Sequence, residues 1–285
     1  MKSKTIQVSC AQMHWGKKLE YNLAKTVEFI KEAAKTGSRV ICFPEANLTG
    51  FYFPYVLKYS IESVISALDE VCSVAKTYDI WAIVGTIQKT RNKFLNLAHI
   101  ISPDGKIVYE YAKIHLAGNE EKKYCCGGNK LALFEIDGIC CTIAICRDGR
   151  HPEVYRIPAM AGAQILFHPS CSFDKIETVV WKRTSGRAQL PAGPTTRIFH
   201  CVANTVGQSP DGLYTSSGAS FIRDPSGLPL IEASPYQEEL ITAVLNLKKA
   251  DCSFAIDSLN EPSFLKPYWE QMILEMKKRA NLKPE

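Results

Sequence analysis

A thiol, a carboxylate and an ammonium group each stand directly after an apolar run in this chain, and together they could attack a carbon–nitrogen bond. Glu45 follows "VICFP", Lys113 follows "KIVYEYA" and Cys146 follows "ICCTIAI". In α/β proteins the crevice beyond the strand ends is where ligands bind. A free thiol is only slightly ionised at neutral pH, so a nucleophilic cysteine needs a base or a cation beside it. Glu45, if desolvated, would take the thiol proton and return it to a leaving amine. Lys113, helped by a backbone N–H just after Cys146, would hold the oxyanion of a tetrahedral intermediate. Taken singly, each has a plainer reading: a capping carboxylate, a solvated lysine, a core thiol.

The elements that must carry these groups alternate between strand and helix patterns, the mark of an α/β fold. A strand near Thr5–Ala11 precedes a helix over Leu19–Lys35, with Leu19, Leu23, Val27, Ile30 and Ala34 on one face. "RVICFPE" is a short strand ending at Pro44 and Glu45, a second helix covers Ser60–Tyr78, and "IWAIVGTI" is a third strand. Two hairpins follow, turning at "SPDGK" and at Asp137-Gly138. The second arm of the second hairpin is the strand that ends on Cys146. Further on come a helix near Pro152–Ala161, the strand "AQILFHP", a helix around Thr178–Gln189, the strand "IFHCVANTVG", the last strands in "SGASFIRDPSGLPLIEA" and "ELITAVLNL", and a C-terminal helix. Hairpins mixed with helical crossovers predict mixed sheets. No linker or repeat divides residues 1–285, so a single domain is expected.

Composition excludes several classes of function. The net charge of +5 is modest and spread out, which makes no case for nucleic acid or a membrane surface. No apolar run is long enough to span a bilayer, and the opening strand-like pattern does not read as a signal peptide. The eleven cysteines lie mostly within apolar runs, as buried free thiols of a reducing cytoplasm would. Their spacing lacks the paired short offsets of a zinc site, so no metal is expected.

"FPEANLTGF", "YAKIHL" and "ICRDGRHPE", in this order and spacing, resemble the three signatures of the nitrilase, or carbon-nitrogen hydrolase, superfamily. "ILFHPS", "HCVANTVG" and "SSGASFIRDPSG" also look like family segments, so the resemblance covers nearly the whole chain. It implies a four-layer αββα sandwich of two mixed β-sheets flanked by helices. It also implies a Glu-Lys-Cys triad in which Glu45 is general base and acid, Lys113 the oxyanion stabiliser and Cys146 the nucleophile. The family's further glutamate falls in "NEEKKYCCGG", where Glu121, chosen over its neighbour Glu120, would orient Lys113. Arg150 takes the place of an arginine that grips a substrate carboxylate in members acting on N-carbamoyl amino acids; pairing with Asp148 or Glu153 is the structural alternative. Glu153 is read as structural, at the start of a helix, and His115 as a hydrogen-bonded support.

Some positions depart from the family pattern. Arg147 stands where many members carry an aromatic residue, and Pro191 and Pro194 interrupt the helix that would lead into "RIFHCVANTVG". Tyr52 and Phe173, in the loops "TGFYFPYVL" and "SCSFDKIE", are candidate pocket walls. The function expected is cysteine-dependent hydrolysis of a small-molecule amide or N-carbamoyl group, without cofactor. The alternatives are a nitrilase working through a thioimidate and a non-catalytic binding or redox-sensing member. The resemblance further implies a homodimer or higher homo-oligomer, built on the helix after the cysteine and the C-terminal segment, with Ile157, Met160, Trp269, Met272 and Met276 suited either to that contact or to the core.

Overall fold

The alternating run near the start folds as β1 (Thr5–Gln12) and is followed by α1 (Leu19–Lys35), in a computed structural model that describes residues 5–184 and 192–280. β2 (Val40–Cys42), the short α2 (Phe53–Val56) and α3 (Ile61–Thr77) come next. Then come β3 (Trp81–Lys89), β4 (Phe94–Ile101), β5 (Ile107–Ala112) and α4 (Gly118–Tyr124). β6 (Phe134–Ile136) and β7 (Ile139–Ile143) form the second hairpin and lead into a 3-10 turn over Cys146–Arg150. α5 (Glu153–Met160), β8 (Ile165–Ser170), β9 (Phe173–Asp174) and α6 (Ile176–Thr184) follow. The rest is α7 (Gly193–Thr196), β10 (Phe199–Asn204), β11 (Thr215–Ser216), β12 (Phe221–Arg223), β13 (Pro229–Glu232), β14 (Glu239–Asn246), α8 (Ser253–Asn260) and α9 (Lys266–Ala280). Gln189 and Pro191 lie outside the described residues, while Pro194 sits in the first turn of α7, where its missing N–H costs nothing.

Two six-stranded sheets, ordered β14-β1-β2-β3-β4-β5 and β13-β12-β10-β8-β7-β6, carry both parallel and antiparallel pairs. Alternation along the strands decides which residues face which layer. Val8, Cys10, Val40 and Cys42 of the first sheet meet Cys141, Ile143, Phe167 and Cys201 of the second in one core between the sheets. The intervening Ile41 and Ala82 pack against α1 and α3, and Ala144 and Leu166 against α5 and α8. The result is the expected four layers, helices outside and sheets within.

Three expectations change in detail. The ladder of β7 stops at Ile143, short of Cys146. On α1 the buried stripe is turned toward Asn22, Thr26, Phe29 and Ala33, leaving Leu23, Val27 and Ala34 half-buried. The reason is polar: the Asn22 amide donates to the Leu48 carbonyl at 3.1 Å and the Asn47 amide to Thr26 Oγ1 at 2.9 Å, so α1 holds the loop after β2. Ile157, Met160 and Met276 are buried within the chain and Trp269 is half-buried, so of the five residues offered for a dimer contact only Met272 is exposed.

The loop that carries Glu45 is packed directly on β3. Gly85 N–H donates to Asn47 Oδ1 at 2.7 Å, and a Cβ on Gly85 would overlap the Ala46 backbone nitrogen and lie 3.0 Å from both Ala46 Cα and the Pro44 oxygen. Gly85→Ala is therefore expected to destabilise the protein by about 1–3 kcal/mol, the usual cost of overpacking, which urea denaturation would measure.

Candidate active site

Glu45, Lys113 and Cys146 arrive from three strand ends on one edge of the sandwich. β2 and β5 run in the same direction within the first sheet, and β7 lies parallel to β8 in the second. A hydrogen bond from Glu45 N–H to the Ser170 carbonyl, 3.3 Å long, joins the tip of the first sheet to the end of β8.

Strand alternation alone would send the Cys146 side chain to the Ala144 face, toward the outer helices. Cys146 has φ of +47°, which breaks the alternation, and the residue packs against the core between the sheets instead. A positive φ at a non-glycine residue costs of order 1–3 kcal/mol and persists only where neighbours impose it. Asp148 is one such neighbour. Buried, it accepts hydrogen bonds from Tyr111 Oη (2.8 Å), His115 N (2.7 Å), His115 Nδ1 (3.0 Å) and Ile145 N (3.2 Å). It thereby ties the turn at Cys146 to the chain just after Lys113. His115 is thus a support, as expected.

Lys113 is fully buried between two carboxylates. Its Nζ lies 2.6 Å from Glu45 Oε1 and 3.1 and 3.0 Å from the two oxygens of Glu121. Asn96, on β4, donates through Nδ2 to Glu45 Oε1 at 2.7 Å and to Glu121 Oε1 at 2.8 Å. The Phe51 ring lies beneath the ammonium, 5.4 Å from Nζ to the ring centre. Glu121 stands on α4, and the Ala117 N–H also donates to it; Glu120 is exposed. Sequence reasoning missed Asn96, Asp148 and Phe51. Asn96 lies in an ordinary alternating strand and Asp148 among charges, so only their burial reveals them.

The electrostatics follow from one cation facing two acids in a dry site. Burial pushes the Glu45 carboxyl up, Lys113 draws it down and Glu121 raises it again, for a net rise. Burial draws the Lys113 ammonium down, but the carboxylates of Glu45 and Glu121 outweigh that and hold it protonated. The Cys146 thiol is pushed up to about 11 by burial and by Glu45, against the pull of Lys113 and of hydrogen bonding from Cys171 and Ser170. At rest the site therefore holds a neutral thiol beside a carboxylate of raised basicity.

The remaining candidates stand apart from this cluster. Arg147 is half-buried and Arg150 exposed, and neither forms an ion pair among the described residues; Asp148 and Glu153 thus leave Arg150 unpaired. Tyr52 packs beside Tyr55 at 5.3 Å, and Phe173 meets Trp15 edge-on at 5.4 Å, both within the aromatic packing around α1 and α3. Glu153 opens α5 as read. His115, His151 and Glu153 have potential ligand atoms within 4.8 Å of one another. The two imidazoles lie face to face, 3.6 Å apart and 7° from parallel, so no ion can sit in the plane of both.

This combination of a two-sheet sandwich and an acid–lysine–thiol cluster at one edge defines a hydrolase of carbon–nitrogen bonds. The family model for carbon-nitrogen hydrolases matches residues 7–251, and the chain belongs to that family. It is 28% identical over 247 residues to the 2-oxoglutaramate amidase of Bacillus subtilis (strain 168), covering 85% of this chain and 92% of that protein. It is 24% identical over 254 residues to the omega-amidase NIT2 of Mus musculus, covering 86% and 90%. A mutant of the amidase from Nesterenkonia sp. AN1, in a structure showing covalent addition of the acetamide moiety of fluoroacetamide at its active site cysteine, has the same fold. The TM-score is 0.77 at 20% identity, over 93% of this chain and 96% of that one.

Asn96 holds Glu45 down by donating to it, so Asn96→Leu should raise the Glu45 pKa further. A base with a higher pKa needs a higher pH to ionise. The acid limb of kcat/KM, already expected above the ordinary glutamate value of about 4.3, should therefore move to still higher pH in the variant. A pH profile of both proteins measures this.

Proposed function

We propose that the protein is a cysteine amidohydrolase acting on a small-molecule amide or N-carbamoyl group. The observation that carries the reading is the fully buried Lys113 held between Glu45 and Glu121 beside a strained cysteine turn. Such a charge cluster is costly to bury and serves no packing purpose that apolar residues would not serve better. In the proposed reaction Cys146 Sγ attacks the carbonyl carbon as Glu45 takes the thiol proton. The Lys113 ammonium and the Arg147 N–H stabilise the oxyanion. Collapse breaks the carbon–nitrogen bond, and Glu45 returns its proton to the leaving ammonia or amine. Glu45 then deprotonates a water that attacks the thioester; collapse releases the acid and restores the thiol. Glu121 positions Lys113 throughout. Every step uses groups of this chain, with no metal or organic cofactor.

Arg147, next to Cys146 in sequence, and Arg150 form no ion pair among the described residues, and they favour a substrate with a carboxylate, since a guanidinium fork matches that group. The relatives named for 2-oxoglutaramate and omega-amides agree with this. Redox sensing is disfavoured because a sensor needs only an activated thiol, whereas this site also buries Lys113 between Glu45 and Glu121. All eleven cysteines are free, which supports residence in the reducing cytoplasm. No helix among the described residues is long and apolar enough to cross a membrane.

The test is ammonia release from a panel of N-carbamoyl amines, N-carbamoyl amino acids, ω-amides and simple nitriles. Turnover of amides or carbamoyl compounds is expected, fastest for those with a carboxylate, and none in a folded Cys146→Ala variant. Turnover of nitriles alone, or turnover surviving in the variant, would refute the reading. We also expect a homodimer through the exposed apolar side chains of α9, among them Tyr268, Met272 and Leu274. Sedimentation velocity should give the mass of two chains, and a monomer at micromolar concentration would remove that expectation.

A further inference from the structure

Two buried histidines stand behind the nucleophile, outside the Glu45–Lys113–Glu121 cluster. His168 lies on β8 and His200 on the adjacent parallel strand β10. His168 Nε2 is 2.9 Å from the Cys146 carbonyl oxygen, and His168 Nδ1 is 3.0 Å from His200 Nε2. The ring centres are 5.3 Å apart and the planes differ by 10°. With so short an N···N contact, that separation means the rings meet edge to edge in nearly one plane. The chain of contacts ends at the Ala192 N–H, which donates to His200 Nδ1 at 3.3 Å.

The two ends of this chain fix every proton in it. A backbone N–H can only donate, so His200 Nδ1 is bare and its proton sits on Nε2. His200 Nε2–H then donates to a bare His168 Nδ1, and His168 Nε2–H donates to the Cys146 carbonyl. A cationic form of either ring would leave two N–H groups facing each other at one of these contacts. Burial lowers the pKa of both rings. Around His168, the Cys146 carbonyl and Asp148 oppose that and Lys113 adds to it; around His200, both His168 and Arg223 add to it. Gly149 makes room for the arrangement, since a Cβ there would overlap the His168 ring, with Nε2 only 2.8 Å away.

The Cys146 carbonyl and the Arg147 N–H belong to one peptide group and point in opposite directions. A hydrogen bond to the carbonyl from behind makes the N–H in front more positive. Among the described residues that N–H donates to no backbone or side-chain acceptor. We infer that His168 and His200 are positioning residues: a neutral, one-directional hydrogen-bond chain that holds the Cys146 turn and strengthens the Arg147 N–H as an oxyanion donor. This rests on the amidohydrolase reading of the site. One oxyanion donor is worth about 10²–10³ in kcat. A strengthening of about 10–30% through a polarised chain then corresponds to about two- to eight-fold.

The test compares wild type with His168→Leu, His168→Gln and His200→Leu by two rates, amide turnover and alkylation of Cys146 by iodoacetamide, a displacement that forms no oxyanion. His168→Leu should lower kcat about two- to eight-fold with KM and alkylation nearly unchanged. His168→Gln, which keeps a donor for the carbonyl, should recover most of the loss, and His200→Leu should show the same split with a smaller fall. Alkylation falling in parallel with kcat would mean only a collapsed turn and overturn the proposal, as would an unchanged kcat or a glutamine variant no better than leucine. Nitrogen-15 NMR of histidine-labelled wild type needs no folded variant. It should show both rings protonated at Nε2 only between pH 6 and 9, and a proton on either Nδ1 would overturn the chain. A wild type that turns over no amide would instead remove the amidohydrolase reading, and the kinetic role with it, whatever the NMR shows.

Discussion

A buried ammonium between two buried carboxylates is the constraint on which the rest of this structure depends. Neither Glu45 nor Glu121 could be taken out of water without Lys113, and Lys113 could not be buried without at least one of them. Two acids against one base still leave an excess of negative charge. Asn96 absorbs part of it with two amide hydrogen bonds, and the thiol of Cys146 answers the remainder by staying protonated. The site thus holds an unionised thiol beside a carboxylate whose basicity burial raises.

Holding four charged or ionisable groups in a dry crevice needs a rigid frame, and the two sheets supply it. Glu45 and Lys113 come from one sheet and Cys146 from the other, so the spacing of the sheets sets the spacing of carboxylate and thiol. Asp148 bridges the halves by gathering donors from both sides, and the Glu45 N–H bond to Ser170 bridges them again. Polar residues on the inner stripe of α1 belong to the same frame, because Asn22 and Thr26 fasten the loop that presents Glu45.

Two of the seven non-glycine residues with positive φ among the described residues belong to the turns that carry this cluster. Ala46, next to Glu45, has φ of +51°, and Cys146 has φ of +47°. At Cys146 the turn interrupts an alternation that would otherwise face the side chain into a helix layer. Both turns are held by buried polar side chains: Asn47 Oδ1 accepts from the Gly85 N–H on one side, and on the other Asp148 accepts from the Ile145 N–H and His168 Nε2 donates to the Cys146 carbonyl.

Much of this was legible in the residues alone. Strand and helix order, the two hairpins and the mixed sheets follow from period-2 and period-3.6 apolar patterns, which are local properties of the chain. Glu45, Lys113 and Cys146 stood out because charge or a thiol follows an apolar run, and that too is local. Glu121 was separable from Glu120 only by resemblance, and burial on α4 is what distinguishes the two physically. Asn96, Asp148, His168 and His200 carry no local signal: an asparagine or histidine in an alternating strand reads as an ordinary outward or core residue until its partner is known. Apart from Ile145, three residues from Asp148, their partners lie between 8 and 51 residues away in sequence. The sequence by itself determined which groups the site contains, because side-chain type and strand ends are written in order along the chain. Tertiary structure alone decided their protonation and geometry, because those depend on burial and on neighbours brought together by folding.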